Sequence, residues 1–560
     1  MATSVFFGGR RTYRPGIYSQ IVNNLGAGGA TATGNLAVVG IFPMFPLAEP
    51  QTFENRVLFD NATIGLDRDL KLVADLAFNP LSNSNAGIST LTIVNAVDST
   101  KASVTKGSIT YKSRLSGAIG NRTALAVTAN ADDADLFDIE VKYSDRVVES
   151  ATGVGEGEIA SLSITGGGAD AWNLVINETY ITLQSVTGGV TTNAYQGTRA
   201  SEPSLKAVLN DIKASAEDAG ATVVLELPAT DIDCSVIDNL TANNIQTTPA
   251  SITKDNLSLV EWFEGSRYVE VVRNNSDAPT TFTLERIALS TAGTSDTAIT
   301  EDTLAEALAS IKRLPINTVV LMDDDVNLQL LVRQHCKDAG FEAGYNRNAW
   351  FGTSASQTLA GAYAGWSRKL NDMDCAVTPQ SIVVGSRTLP PMWTALVLAG
   401  MQNATPPATP LTKKSPTRLV VATAENFDRE AEADFAISKG LVIMTDPSST
   451  GLSVERSVTT WLEDNNPVWT EVSANESVNQ SLRNLRSALI SQVGTAITST
   501  KRGDLINVAN KELTQQKADG LILDYRNVAV IISGDTASVQ YDVSVAQPLN
   551  FITLTANVVA

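Results

Sequence analysis

Between residues 300 and 445 the chain alternates short, mainly apolar runs with longer amphipathic stretches, and this alternation constrains the fold more than any other feature. INTVVLM (316–322), SIVVGS (381–386), RLVVAT (418–423) and GLVIMT (440–445) are largely apolar at consecutive positions. A strand of that kind is buried on both faces, so it belongs in a sheet that helices cover. The stretches between supply the helices. TLAEALASIKRL (303–314) predicts one with a capping box from Thr303 to Glu306 and an apolar face of Leu304, Leu308 and Ile311. VNLQLLVRQHCKDAG (326–340) predicts another, with Asp324 or Asp325 as N-cap and Gly340 as its stop. LAGAYAGWSRKL, PPMWTALVLAGMQ and a segment with Phe427, Ala431 and Phe435 at i, i+4 spacing continue the pattern. The result is a helix-covered central sheet.

Elsewhere the pattern changes. From about 88 to 300 the β signals dominate: ISTLTIVNAV, TALAVTA, LFDIEVKYSDRVVES and YVEVVRNN are short strand-forming runs separated by Gly, Asn and Asp clusters. PSLKAVLNDIKASAEDAG (203–220) is the one helix among them, with Leu205, Val208, Leu209 and Ile212 on one face. Near the C-terminus a long helix begins around Asn475, carrying a stripe of Leu482, Leu485, Leu489, Val493 and Ile497. ASVQYDVSVAQ (537–547) then alternates, with Val539, Tyr541, Val543 and Val545 on one side, and FITLTANVVA ends the chain as another strand pattern. Residues 1–23 read as an extended arm: Pro15 confines Arg14 to extended geometry, and Ile17, Tyr18, Ser19, Gln20 and Ile21 continue as a strand. A glycine-rich tether (25–34) leads from it into NLAVVGIF (35–42), a buried strand. With 560 residues, about two to four domains are expected. The fold class is therefore α+β or α/β multidomain: a central helix-covered sheet, inserted β-rich modules and strand-forming arms at both ends.

On chemistry the sequence is quiet. Forty-one basic residues against sixty acidic give a net charge of -19, which repels phosphate and argues against a nucleic-acid grip. Cys234, Cys336 and Cys375 form no ligand cluster and read as buried free thiols. No charged-then-apolar leader opens the chain, and the longest apolar run, TALVLAGM (394–401), is too short to span a bilayer, so a soluble protein made in a cytoplasm is expected. The single histidine, His335, reads as a packed or solvated helix residue. Asp323, His335 and Ser354 do follow the aspartate-histidine-serine order of subtilisin-like proteases, but they fall within 32 positions, and the glycines that flank histidine in that family are missing. The three carboxylates of MDDDVN (322–327) are consecutive, whereas cation loops use alternate residues. The glycine stretches lack the features of a phosphate loop. No catalytic residue, cofactor or metal is expected.

Several segments, in order, resemble the contractile-tail sheath family of myophages, which is related to the sheaths of pyocins and type VI secretion systems. They are RPGIYSQI, SGAIGNRTALAVT (116–128), LSTAGTSDTAITEDTLAEAL (289–308), RTLPPMWTALVLAGMQNATPPATPLTKK (387–414) and VERSVTTWLEDNNPVWTEVSANESVNQSLRNLRSALI (454–490). The resemblance implies an arm (1–23), the first part of a sheath core (24–115), an inserted variable β module on the outer surface (116–290), a central α/β domain (291–470) and a tube-facing C-terminal domain (471–560). It also implies hexameric rings stacked around a tail tube, with baseplate and tail terminator proteins as further partners, and with no nucleic acid or membrane insertion. The rings would contract without nucleotide, in a virion tail assembled in the host bacterial cytoplasm. Related contractile injection systems are the nearest alternative, and a subtilisin-like hydrolase is the rival from another class. Ile17–Ile21 and Phe551, Ile552, Thr553, Leu554 and Thr555 are the candidate strands exchanged between subunits. Arg483, Arg486, Lys501 and Arg502 are the candidate contacts to an acidic tube.

Overall fold

The computed structural model describes residues 5–7, 10–12 and 34–550, apart from 64–67, 83–85, 107–108, 133–135, 156–157, 203, 229–230, 235–236, 254, 274–285, 290, 429, 447–450, 465 and 534–535. The chain divides into two compact units, one of residues 1–42, 48–96 and 298–560, the other of residues 43–47 and 97–297.

The first unit is built on a six-stranded sheet of β1 (Asn35–Gly40), β2 (Gln51–Phe53), β3 (Thr90–Asn95), β4 (Thr318–Leu321), β5 (Asn348–Gly352) and β6 (Cys375–Thr378). Its order is β6-β5-β4-β1-β3-β2, and every neighbouring pair is parallel except β2 with β3. Every residue of β4, β5 and β6 is buried, as their continuous apolar runs require. Helices that cover it include α1 (Arg68–Phe78), α2 (Glu301–Ile311), α3 (Val326–Asp338) and α4 (Pro391–Asn403). Twelve of the thirteen residues of α4 are buried, which places a helix apolar all round in the interior, against β4, β5 and α1. Its first turn lies directly on the end of β5. A Cβ on Gly352 would meet the backbone of Pro391 and Met392.

Several helix ends differ from the sequence expectation. The capping box joins Thr300 and Thr303, not Thr303 and Glu306, so that Glu301 and Asp302 occupy the first turn, where the helix dipole favours them. Asp325 is the N-cap of α3, accepting from Asn327 N at 2.8 Å. Gly340 does not stop that helix. A π turn (Ala339–Ala343) continues to Gly344, whose φ of 75° ends it. In the segment containing Phe435, the helix is Ala431–Ser438 and buries Ala433 and Ala436 instead. GLVIMT pairs only through Leu441 with Val377 and through Met444–Thr445.

The same unit ends in α5 (Val472–Leu489), α6 (Lys501–Ala518) and the hairpin β7 (Asp524–Ser533) and β8 (Thr536–Ser544). Tyr541, Val543 and Val545 do share the inner face, packed with Ala474, Leu513, Leu521 and Ile522. The expected stripe on α5 is overturned: only Leu485 of it is buried, and Val493 and Ile497 are 76% and 54% exposed. The helix stops at Leu489, and its buried face is polar, holding Asn475, Glu476, Asn479 and Gln480. At the other end of the chain Val5–Phe7 pairs antiparallel with Arg10–Thr12. Ile17–Ile21 and Phe551–Thr555 lie outside the described residues.

The second unit is wider than the 116–290 span read from sequence, and its strand pairs are antiparallel. Phe137–Tyr143 and Arg146–Val154 form a hairpin closed by Ser144 and Asp145, both at positive φ (49° and 65°), as a two-residue loop matching strand twist demands. The helix Leu205–Asp218, capped by Ser204, buries Leu205, Val208, Leu209 and Ile212 against two sheets. Asn121, in the SGAIGN stretch, exchanges hydrogen bonds with the backbone of Gly293 (2.7 and 3.1 Å), tying together two of the segments that carry the sheath resemblance.

Candidate functional site

The chemically richest place in the first unit is a seam where α5 crosses the starts of the parallel strands. Asn35 begins β1, Asn317 precedes β4, Asn348 begins β5 and Asp374 precedes β6, so a polar residue stands at the same end of four adjacent strands. Asn35 N donates to Asn317 Oδ1 (3.1 Å) and Asn317 Nδ2 to Gln480 Oε1 (3.4 Å). Asn348 Nδ2 donates to Glu476 Oε2 (3.0 Å), and Asn479 Nδ2 donates to both Asn348 Oδ1 (2.8 Å) and Asp374 Oδ1 (3.0 Å). Asn475 Nδ2 reaches Met373 O (2.5 Å) and Asp374 Oδ1 (2.9 Å). Arg483, about two turns beyond Glu476 on α5, binds Glu476 Oε1 at 2.5 Å, Gln480 Oε1 and Asn346 O. Burial raises the Glu476 carboxyl above its ordinary range, and Arg483 pulls it back down. This seam was missed from sequence because no apolar periodicity marks it. The only signal was the run of Asn, Glu, Ser and Gln where a core-facing helix should be greasy.

Beside it, Arg347 is buried without a carboxylate partner among the described residues. Its guanidinium donates to the carbonyls of Ile311, Lys312, Leu314 and Tyr345 at 3.1–3.2 Å, and so caps the C-terminal end of α2. Arg347 Nη1 also meets His335 Nε2 at 3.1 Å. A guanidinium only donates, so Nε2 accepts and the imidazole proton sits on Nδ1. Burial, then the Arg347 charge, pushes His335 down to about 3. His335 is thus spent on Arg347. Asp323 Oδ1 accepts from Asp325 N and Ser354 Oγ from Gln357 Nε2, so these contacts assemble no triad from the three residues. Among the described residues no His, Cys, Asp and Glu group could hold a metal ion, and no helix is long and apolar enough to cross a membrane.

The four basic candidates separate into two kinds. Arg483 is turned inward on Glu476, its side chain 11% exposed, and Lys501 is buried, its Nζ on Gln492 and Thr495. Arg486 and Arg502 are exposed. Arg486 rests against the bare Cα of Gly344, whose absent side chain leaves it room. Next to it runs an apolar groove of about 700 Å³ lined by Phe341, Leu482, Leu485, Leu489, Ile490 and Val493. The RSVTT stretch is not a regular strand; only Val458 bridges, to Glu471. Its Arg456 holds the buried Glu471 at 2.5 Å, and Asn550, where the C-terminal tail passes, donates to the same oxygen at 3.0 Å.

The fold is thus a mostly parallel sheet with helix cover, an antiparallel unit inserted in the chain mainly between β3 and β4, and a C-terminal helix-hairpin layer. The structure is similar to the sheath tail protein of Desulfitobacterium hafniense (TM-score 0.55, 12% identity, covering 92% of this chain and 93% of that one). It is equally similar to the sheath tail protein of Listeria innocua (TM-score 0.56, 10% identity, the same coverage). In sequence it is 21% identical to the tail sheath protein of Bacillus phage SP01, over 98% of this chain and 96% of the relative. No protein-family model matches. In sequence and in fold the chain is thus similar to contractile-tail sheath proteins along nearly its whole length.

Proposed function

We propose that this chain is the structural subunit of a contractile phage tail sheath. Copies polymerise as hexameric rings stacked around a tail tube and contract, without nucleotide, to drive the tube through the host envelope. The observation that carries this reading is the end-to-end similarity to a phage tail sheath protein, which spans both units and leaves no large segment unmatched. The partners are further copies of the chain, the tube, the baseplate and the tail terminator, and the place is the virion tail, assembled in the host cytoplasm. The work is mechanical and not catalytic, in keeping with a lone histidine already committed to Arg347.

In this reading Ile17–Ile21 and Phe551–Thr555 pair with sheet edges of neighbouring subunits. Backbone hydrogen bonds worth roughly 0.5–1.5 kcal/mol each add to several kcal/mol per arm. Deleting residues 1–22 should leave soluble folded subunits that form no sheath polymers in electron micrographs; normal polymers from that variant would refute the assignment. The tube contact falls to the exposed pair Arg486 and Arg502, with Arg483 and Lys501 supporting from within. Charge reversal at Arg486 and Arg502 should weaken tube-templated assembly, and unaltered assembly would count against it.

A further inference from the structure

Of the three carboxylates in the seam under α5, two are bound by a cation and one is not. Lys337 of α3 binds Asp372 and Arg483 binds Glu476, both at 2.5 Å. Asp374 is left over. It receives amide donors from Asn475 and Asn479, and among the described residues no ion pair reaches it. The other groups around it include Asp372 and Cys375 beside it in the chain, and Cys336 and Lys337 on α3, with Arg333 of α3 acting on Cys375. Arg347 ahead of β5, Tyr541 of β8, and Glu476 and Arg486 of α5 complete the surroundings. Arg347 is taken up by carbonyls, so its charge does not bind Asp374 directly.

We propose that the seam is a proton-operated latch, in which the Glu476–Arg483 pair clamps α5 to the strand starts and Asp374 is the surplus carboxylate that loosens the clamp when charged and tightens it when protonated. The surroundings set the sign. Burial holds the Asp374 carboxyl above its usual range, Asp372 adds to this, and the Asn475 and Asn479 amides and Lys337 oppose it. A carboxyl raised on docking costs the docked state most above its folded titration, and that cost is relieved as pH falls through it. Acidification therefore favours docked α5. Glu476, also raised, acts in the same direction. His335 acts in the opposite one, because it is held neutral in the fold and charges on unfolding. That effect bears on the whole unit, so α5 is best read against the interior helix α4.

Hydrogen-deuterium exchange on the full-length chain, corrected for intrinsic rates, tests this by comparing peptides of residues 472–485 and 391–403 at pH 7.5 and 5.5. The ratio of α5 to α4 protection should rise on acidification, by up to about tenfold for each unit by which docking displaces the titration within that window. Asp374→Asn should show the protected state already at pH 7.5 and lose most of the rise. Glu476→Gln should lower protection at both pH values while keeping a rise. A ratio that is flat or falls with acid in the unmodified chain overturns the latch without recourse to any variant. So does an Asp374→Asn chain that retains the full rise, or a Glu476→Gln chain as protected as the original.

Discussion

Arg483→Met should be among the most damaging single substitutions in the C-terminal layer, and its size can be worked out. Glu476 is 6% exposed at its side chain and Arg483 11%, so little solvent screens the pair. Removing the guanidinium leaves a carboxylate buried with only the Asn348 amide among its described side-chain partners, an arrangement that costs about 3–5 kcal/mol. The carboxylate has an escape, which is to take up a proton. For an ordinary glutamate near 4.3 that costs about 3.7 kcal/mol at pH 7, which caps the charge part of the loss. The deficit should therefore stand at about 3–4 kcal/mol at neutral pH and shrink by about 1.4 kcal/mol for each pH unit below it. Because the chain has two units, a single unfolding midpoint is not a safe measure; segment-resolved hydrogen exchange of α5 and β5 in sub-denaturing urea is. Adding Glu476→Gln to Arg483→Met should restore part of the loss, with a coupling of about 2 kcal/mol or more. A deficit under about 1 kcal/mol, one indifferent to pH, or strictly additive effects would refute the view that this pair fastens the seam.

Two further outcomes are expected. Gly352→Ala drives a methyl into the backbone of α4's first turn, where neither a buried strand nor a buried helix can yield, and should cost about 3 kcal/mol by hydrogen exchange of the α4 and β5 segments. His335 is depressed to about 3 in the fold, so the unfolded chain, titrating near 6.5, binds the extra proton; stability contributed by the neutral form is lost as pH falls below about 6.5, at up to about 1.4 kcal/mol per unit. His335→Gln should flatten that part of the acid profile measured by urea titration from pH 7 to 5.

What was legible in the sequence was whatever declares itself by apolar content. Leu36–Gly40, Thr318–Leu321 and the almost wholly buried α4 stand out because most residues buried on every side are apolar. The alternation of 537–547 was legible for the complementary reason, a sheet with one face dry. α6 was missed: its buried face is Leu505, Ala509, Leu513 and Gln516, sparse and closed by a glutamine, amid Lys, Asp, Asn and Gln. The α5 stripe misled because amphipathic spacing shows that a helix has two faces without saying which is covered. Here the covered face satisfies strand-end amides and so is polar, while the leucines border an open groove. Helix stops failed where a π turn absorbed an extra residue, which no local composition announces.

The amide row at the strand starts also bears on how the sheet finds its alignment. β1, β4, β5 and β6 are apolar at nearly every position, so sliding any of them by two residues would offer the neighbouring layers much the same surface. Hydrophobicity alone cannot choose among those alignments. Asn35, Asn317, Asn348 and Asp374 can, because a two-residue slip would carry an amide or carboxylate into the dry interior without its partner, at about 1–3 kcal/mol for each such group. Four side chains at one edge thus act as a datum line from which the greasy strands are measured, and α5, by reading all but the first of them, is laid down only on a sheet that has been correctly ruled.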